Sequence, residues 1–460
     1  MYKVDFDKPC KVYFMGIGGI SMSGLAEILL QRNFTVYGSD VKESDIVRKL
    51  KSLGAIVNIG QIKENITDDI ELVVYTAAIS KDNEEFQAVL SKGIPMLTRA
   101  ELLGQVMNNY KYSLAISGTH GKTTTTSMMT HILLCADTDP TISIGGMLDV
   151  IDGNIRVGSS DYFVTEACEY TNSYHAFNPY ISIILNVDED HLDFFSGIDE
   201  IVESFKIFAE KLGDTGLLVI NGDMEHKARI ISDLKCNIIT FGLNKDNDYS
   251  ATDICFDDEG HPTYKLVKHG EVTDEIVLHS TGIHNVINSL SVIAVSEYLG
   301  IDMKYIKEGL YNCTSAKRRF EHKGVTDEGV IIVDDYAHHP TEIAATLKAA
   351  ENTPHEKLYC AFQPHTYTRT YALLDSFAEA LKVCDCVLLA DIYAAREKDT
   401  GMVSSKDLCD KINALGGNAV YLKDFLSIEN FVKKNCKKND LLITMGAGDI
   451  DTVGISLLKK

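Results

Sequence analysis

The strand-like run Tyr112–Ser117 passes directly into Gly118-Thr119-His120-Gly121-Lys122-Thr123-Thr124, and the residues beyond set Met128, Met129, Ile132 and Leu133 on one helical face. Strand, glycine turn and helix in that order constrain the chain strongly. Backbone N–H groups converge at the turn, at the positive end of the helix dipole, and that cradle suits phosphate. Lys122 then neutralises charge toward the terminal phosphates, and the Thr123 hydroxyl is placed to hold Mg²⁺, so the turn implies use of ATP or GTP. The loop is shorter than the common form, with Ile116 where a longer loop has its first glycine.

At 460 residues, and with roughly 100 to 200 residues to a domain, the chain has length for about three cores. A first unit, 1–110, opens with the strand Lys11–Met15 and the run Gly16-Ile-Gly18-Gly19-Ile-Ser21-Met-Ser-Gly24, with Met22, Leu25, Ala26, Leu29 and Leu30 at helical spacing. Asn33 is placed to stop that helix, and Thr35–Tyr37, Leu72–Tyr75 and Pro95–Leu97 extend the sheet. The central unit, 111–320, carries the phosphate loop, strands at Tyr162–Thr165 and Ile181–Leu185, an alternating stretch over 245–280 that reads as antiparallel strands, and a helix Asn285–Leu299 stopped by Gly300. The last unit, 321–460, repeats strands at Val330–Val333, Leu358–Phe362, Val387–Ala390 and Leu441–Met445, with Pro340 at the first turn of a helix. Alternating β and α segments predict an α/β chain of three parallel-sheet domains.

Apolar residues make up 45% of the chain and charged residues 24%, near the averages of folded globular proteins. The formal charge of −22, with no basic track, argues against a nucleic-acid partner. Anionic substrates must then be met locally, by glycine-turn amides, single Lys or Arg side chains and bound cations. No stretch approaches the ~20 apolar residues of a membrane-spanning helix, so no membrane is expected. The eleven cysteines form no Cys-x-x-Cys pair and no signal peptide precedes the first strand, which predicts a cytoplasmic protein with Cys384 and Cys386 as buried structural thiols.

Asp40 follows Gly18 by about the 20 residues expected of a ribose-binding acid, so Gly18, Gly19, Ser21 and Asp40 are candidates for a nucleotide site. Ser21 stands where the usual fingerprint has its third glycine, which leaves open a plain tight turn or a nicotinamide enzyme. A dehydrogenase, however, has no use for the second loop. In the central unit Glu166-Ala-Cys-Glu169 and Asn186-Val-Asp-Glu-Asp-His191 each follow a predicted strand, where open α/β sheets place ligands. Glu166 and His191 are the candidates for Mg²⁺ near a transferred phosphoryl group, while Asp188, Glu189 and Asp190 read as a solvated loop. In the last unit Asp334-Asp335-Tyr336-Ala-His338-His339-Pro340 and Gln363-Pro-His365-Thr-Tyr-Thr-Arg369 gather His and Arg at strand-to-helix turns, where anion recognition is the natural use.

Taken in order, Gly16 to Gly24, Gly118 to Thr124, Asp188-Glu-Asp-His191, His284-Asn285, Arg318-Arg-Phe320, Asp335-Tyr-Ala-His-His-Pro340 and Gln363-Pro-His365 resemble the Mur ligases over nearly the whole chain. The His-His-Pro and Gln-Pro-His-x-Tyr-x-Arg segments are more specific than the phosphate loop. They are similar to those of the member that adds the first amino acid of the peptidoglycan stem peptide. The resemblance implies a Rossmann-like UDP-sugar-binding domain (1–110), a central P-loop ATPase-like domain that binds ATP and carries additional antiparallel strands (111–320), and a Rossmann-like domain for the amino acid (321–460). It implies a cytoplasmic ATP-dependent ligase, monomer or homodimer, that uses Mg²⁺ and joins L-alanine to the lactyl carboxylate of UDP-N-acetylmuramate through an acyl phosphate. A ligase attaching a recycled tripeptide to the same sugar nucleotide would share almost every motif.

By match to the family's motifs, Lys122 and Arg319 would contact phosphates, Thr123 and Glu166 one Mg²⁺, and His191 a second metal. His284, Asn285 and Asn288 would lie on the adenine side and Asp335 would touch the nucleotide. Asp40 would face the uridine end, and His339, His365 and Arg369 the incoming alanine. The chain departs from the family at Cys168, where an Asp is common. Lys206 stands about where several relatives carry a carbamylated lysine, but aligning Phe205 with the alanine-adding member's phenylalanine puts it off register, so an ordinary lysine is expected.

Overall fold

The computed structural model describes residues 2–459 apart from 77, 78, 193, 258, 259, 314–317, 352 and 396. Among the described residues the chain forms three sheets of five, ten and six strands. The first orders its parallel strands as Ile56–Ile59, Thr35–Asp40, Lys11–Met15, Leu72–Tyr75 and Met96–Thr98. The order reverses beside Lys11–Met15, which opens a crevice at the carboxyl ends of the strands. Helix Ile20–Gln31 begins directly after Gly19, so Ser21 lies in its first turn and Gly24 in its interior, not in the turn itself. Gly24 serves packing: a Cβ there would stand 1.6 Å from Ile155 Cδ1 of the central sheet. Asn33, past the helix end, takes the left-handed conformation at φ +63°, as its predicted stop role requires.

The ten-stranded sheet has a parallel middle in the order Tyr249–Phe256, Asn237–Phe241, Leu217–Asn221, Ile181–Ile184, Tyr112–Ser117, Tyr162–Ala167 and Thr141–Leu148. Gly153–Arg156 adds to one edge antiparallel, and Pro262–Lys268 and Glu271–Val277 complete the antiparallel strands predicted over 245–280. Four strands of this sheet escaped the sequence reading, among them Leu217–Asn221 and Thr141–Leu148. The first is a short apolar run that periodicity does not separate from a buried helix, and Gly145-Gly146 dilutes the strand pattern of the second. Tyr162–Ala167 also runs two residues past its expected end, which puts Glu166 inside the strand, in register with Ile116, and leaves Cys168 and Glu169 to begin the turn.

The last sheet runs Glu321–Val325, Ile331–Asp335, Leu441–Met445, Leu358–Phe362, Cys386–Leu389 and Ala419–Tyr421, parallel except for its first pair. Pro340 opens helix Pro340–Ala350, and His339 caps it: His339 Nδ1 accepts from Thr341 N at 3.3 Å, while Glu342 accepts from His338 N and His339 N. One apolar cluster runs from Phe14 and Leu25 through Val106 to Phe163 and Phe205, so the first two sheets share a core. The third keeps clusters of its own. Cys384 and Cys386 are buried free thiols. Among the described residues no helix is long and apolar enough to cross a membrane.

Candidate functional site

The phosphate loop is bent by two left-handed glycines, Gly118 at φ +143° and Gly121 at φ +82°. A Cβ at Gly121 would also stand 3.1 Å from Asn288 Oδ1, so the position excludes side chains twice over. Asn186, on the neighbouring strand-end turn, braces the loop by accepting from His120 N at 2.7 Å and donating to His120 O at 3.1 Å. Lys122 begins the helix, and its ammonium folds back to donate to Gly118 O at 2.5 Å, Thr119 O at 3.0 Å and Glu169 Oε2 at 3.0 Å. Burial opposes the charge, but Glu169 beside it more than compensates, and the Lys122 ammonium titrates above its ordinary value.

Glu169 is almost fully buried and also faces His191 Nε2 at 3.7 Å. Burial lowers the His191 pKa, so at neutral pH the ring is an uncharged nitrogen donor, with Tyr170 against it at 4.5 Å. Glu166, the carboxylate singled out in the sequence, instead accepts from Gly145 N at 2.6 Å. Among the described residues no group of three or more His, Cys, Asp and Glu side chains is gathered to hold a metal ion. Lys206 donates to Ser232 Oγ at 3.0 Å.

One cavity borders the loop and a second lies beside His191. The first, of about 280 Å³, is lined by His120, Gly121, Thr124, His284, Asn285, Asn288, Arg319 and Asp335, so it brings most of the expected nucleotide residues together. Asn288 Nδ2 donates to Asn285 Oδ1 at 3.1 Å, Arg319 lies over the Tyr336 ring at 5.5 Å, and Asp335 accepts from Phe320 N and Ala337 N at 2.7 Å each. Burial pushes Asp335 up to about 6 and His284 down to about 4. The second cavity, of about 370 Å³, is lined by Tyr170, Asp190, His191, His365 and Arg369. Asp190 accepts from Arg369 Nη2 at 2.9 Å and Nε at 3.1 Å, and Arg369 Nη1 lies 3.2 Å from His365 Nδ1.

Polar contacts remote from the chain crossover close the cleft between the central and last domains. Arg369 to Asp190 is one, and His339 Nε2 donating to Glu189 O at 2.9 Å is another. That bond and the helix cap occupy both ring nitrogens of His339, which lines neither of the two cavities. In a third, His120 stands between Asp188 Oδ2 and Glu342 Oε1, each 3.3 Å away. The Nε2 contact to Asp188 is close but off hydrogen-bond alignment. Burial opposes protonation there, yet the two carboxylates raise the His120 pKa to about 9. Burial equally opposes ionisation of Glu342, but His338, His120 and Arg319 hold it well below its ordinary value.

The N-terminal candidates stand apart from both cavities. Gly18 N donates to Asp40 Oδ2 at 2.9 Å, and Gly19 and Ser21 follow at the helix start. The sequence reading missed Glu169, Glu342, Asp190 and Asn186. Glu342 carried a usable signal, the third-position acid of a capping box after His339-Pro340. Asp190 carried none, because its partner Arg369 is remote in sequence.

Family models match along the chain: the Mur ligase family catalytic domain at residues 11–111, the Mur ligase middle domain at 116–296, and the Mur ligase glutamate ligase domain at 318–448. A UDP-N-acetylmuramate–L-alanine ligase of Lachnospira eligens is 55% identical over 460 residues, covering all of both chains. One of Caldanaerobacter subterraneus is 48% identical over 458 residues, covering 100% of this chain and 99% of that protein. The crystal structure of the UDP-N-acetylmuramate-alanine ligase of Thermotoga maritima superposes with a TM-score of 0.80 at 28% identity, covering 97% of this chain and 98% of that one. A murein peptide ligase of Psychrobacter arcticus shares the fold, with a TM-score of 0.71 at 22% identity over 98% of each chain.

Proposed function

This chain belongs to the Mur ligase family, and on that premise we propose that it joins L-alanine to the lactyl carboxylate of UDP-N-acetylmuramate, converting ATP to ADP and phosphate in peptidoglycan precursor synthesis. The observation that carries the reading is the end-to-end match to relatives bearing that activity in their names. The tripeptide-attaching alternative shares the motifs but has only a distant structural neighbour on its side. We place the domain divisions near residues 110 and 320.

A carboxylate is a poor acyl donor because oxide would have to leave. Transfer of the γ-phosphoryl group to the lactyl carboxylate gives an acyl phosphate, and phosphate then leaves as the alanine amine attacks. Lys122 moves from Glu169 and the loop carbonyls onto the phosphates, joined by Arg319 from the other side of the cleft, and the two neutralise charge where it shifts. Asn285, Asn288 and neutral His284 hold the adenine side, and Asp335 touches the nucleotide from the third domain. Arg369 takes the alanine carboxylate in a bidentate pair, trading away part of its bond to Asp190, with His365 beside it.

The residues fit Mg²⁺ held in part by the substrate. A magnesium ion usually takes one or two carboxylates with phosphate oxygens and water, and here the Thr123 hydroxyl, Glu166, Glu169 and neutral His191 are the donors to hand. Bound there, Mg²⁺ would spread the phosphate's negative charge. Asp40 and the turn at Gly18, Gly19 and Ser21 receive the uridine end of the sugar nucleotide. The protein acts in the cytoplasm, as monomer or homodimer, with neither nucleic acid nor membrane as partner.

The test supplies ATP, Mg²⁺ and UDP-N-acetylmuramate with L-alanine, glycine, L-serine or the tripeptide, and follows phosphate release. Turnover is expected to be fastest with L-alanine. Selective turnover with the tripeptide would overturn the assignment.

A further inference from the structure

A third cavity, of about 540 Å³, lies between the carboxyl ends of strands Leu72–Tyr75 and Met96–Thr98 and the turn that follows strand Tyr162–Ala167. Arg99 lines it, and among the described residues its guanidinium has neither a hydrogen bond nor an ion pair. Leaving a partly buried cation without a partner is costly, so the site holds charge in reserve for something. The other groups there do not cancel it. Glu101 is turned onto Thr98, accepting from its N at 2.7 Å and its Oγ1 at 2.9 Å. Cys168, on the cavity wall, is a free cysteine and not a carboxylate. Burial also lowers the Arg99 pKa, as it does for a cation with no anion to answer it.

The cavity's place in the fold says what it faces. At one end the N-terminal glycine turn approaches it, since a Cβ on Gly16 would stand 3.4 Å from Thr76 Cγ2, and Thr76 lines the cavity. At the other end Tyr170 lines both this cavity and the one that holds His191 and Arg369. The cavity therefore lies between the N-terminal glycine turn and the cavity of His191 and Arg369, the two regions to which the proposed function assigns the ends of the sugar nucleotide. Thr171 and Asn172 on its wall take the left-handed conformation at φ +55° and +54°, an uncommon one for the β-branched Thr171.

We propose that Arg99 is a substrate-binding residue that pairs with an anionic group of the sugar nucleotide in this cavity. The assignment rests on the function proposed above. The sugar nucleotide carries two anions of the right chemistry, its diphosphate and its lactyl carboxylate, and a guanidinium fork takes either in a bidentate pair.

Titration calorimetry of the full-length wild type, Arg99→Gln and Arg99→Lys with UDP, UDP-N-acetylglucosamine and UDP-N-acetylmuramate tests it, alongside KM values for all three substrates. Arg99→Gln is expected to bind UDP-N-acetylmuramate about 30-fold more weakly with KM for ATP unchanged, and Arg99→Lys to fall between. A loss shared by all three ligands assigns the diphosphate, and a loss confined to UDP-N-acetylmuramate assigns the carboxylate. If Arg99→Gln does not fold, the Arg99→Lys variant decides the question by the same pattern. Wild-type affinity in the variants, or an equal weakening of ATP, overturns the role of Arg99. If the wild type itself releases no phosphate with L-alanine and UDP-N-acetylmuramate, it is the proposed function that falls.

Discussion

The turn after Lys11–Met15 and the turn after Tyr112–Ser117 both carry a buried parallel strand into a helix through glycines, yet the first has drawn in a carboxylate and the second an ammonium. At the first, Asp40 accepts from Gly18 N, and a Cβ on Gly18 would stand 2.8 Å from that carboxylate oxygen. At the second, Lys122 Nζ rests on Gly118 O and Thr119 O. A phosphate approaching the first turn meets negative charge and an amide already spent; at the second it meets a cation. Strand, turn and helix supply convergent amides in both places, and under the proposed function the side chain held against the turn would select the ligand: hydroxyl groups of a sugar at one, phosphate at the other.

The hardest blow to this contrast is Lys122→Met. Phosphate release is expected to fall about a thousandfold, and the stranded Glu169 carboxylate to cost about 3–5 kcal/mol in denaturant melts. A Lys122→Met/Glu169→Gln double variant should recover stability without turnover. Turnover within tenfold of wild type would end the claim that the ammonium defines the second turn.

The second turn alone carries a charge that titrates near physiological pH. His120 is raised from 6.5 to about 9, so the stabilisation its imidazolium gives is fully present below pH 6.5 and lost as the pH rises through 9. The amount is on the order of 3 kcal/mol. Wild type minus His120→Ala stability should therefore shrink across that window, and a flat difference would remove His120 from the closing contacts.

Smaller effects probe the first turn. Gly24→Ala should cost about 1–3 kcal/mol through the clash with Ile155, and less in an Ile155→Ala background. Equal costs in both backgrounds would return Gly24 to the turn. Asp40→Asn should raise KM for the sugar nucleotide about tenfold and leave KM for ATP alone. A change in the ATP constant instead would mean that the two turns do not divide the substrates as described.

Much of this was legible in the sequence because it is local. The turn at Gly118–Thr123, the left-handed stop at Asn33, Pro340 at a helix start and the alternating strands over 245–280 each depend on neighbours a few residues away, and all appear where the pattern placed them. Glu166 against Glu169 was harder. Both stand in one segment, and only the extra length of strand Tyr162–Ala167 decides which of them meets Lys122.

By itself the sequence determined the three α/β units, the phosphate loop and the family, since backbone conformation and hydrophobic period are written in adjacent residues. Tertiary structure alone decided that Asp190 is not a solvated loop residue but the partner of Arg369, that His120 joins Asp188 to Glu342, and that Arg99 has no counter-ion among the described residues. The reason is physical. A charge takes its ionisation and its task from whatever packing brings within a few ångströms, and those partners come from strands and domains far away along the chain.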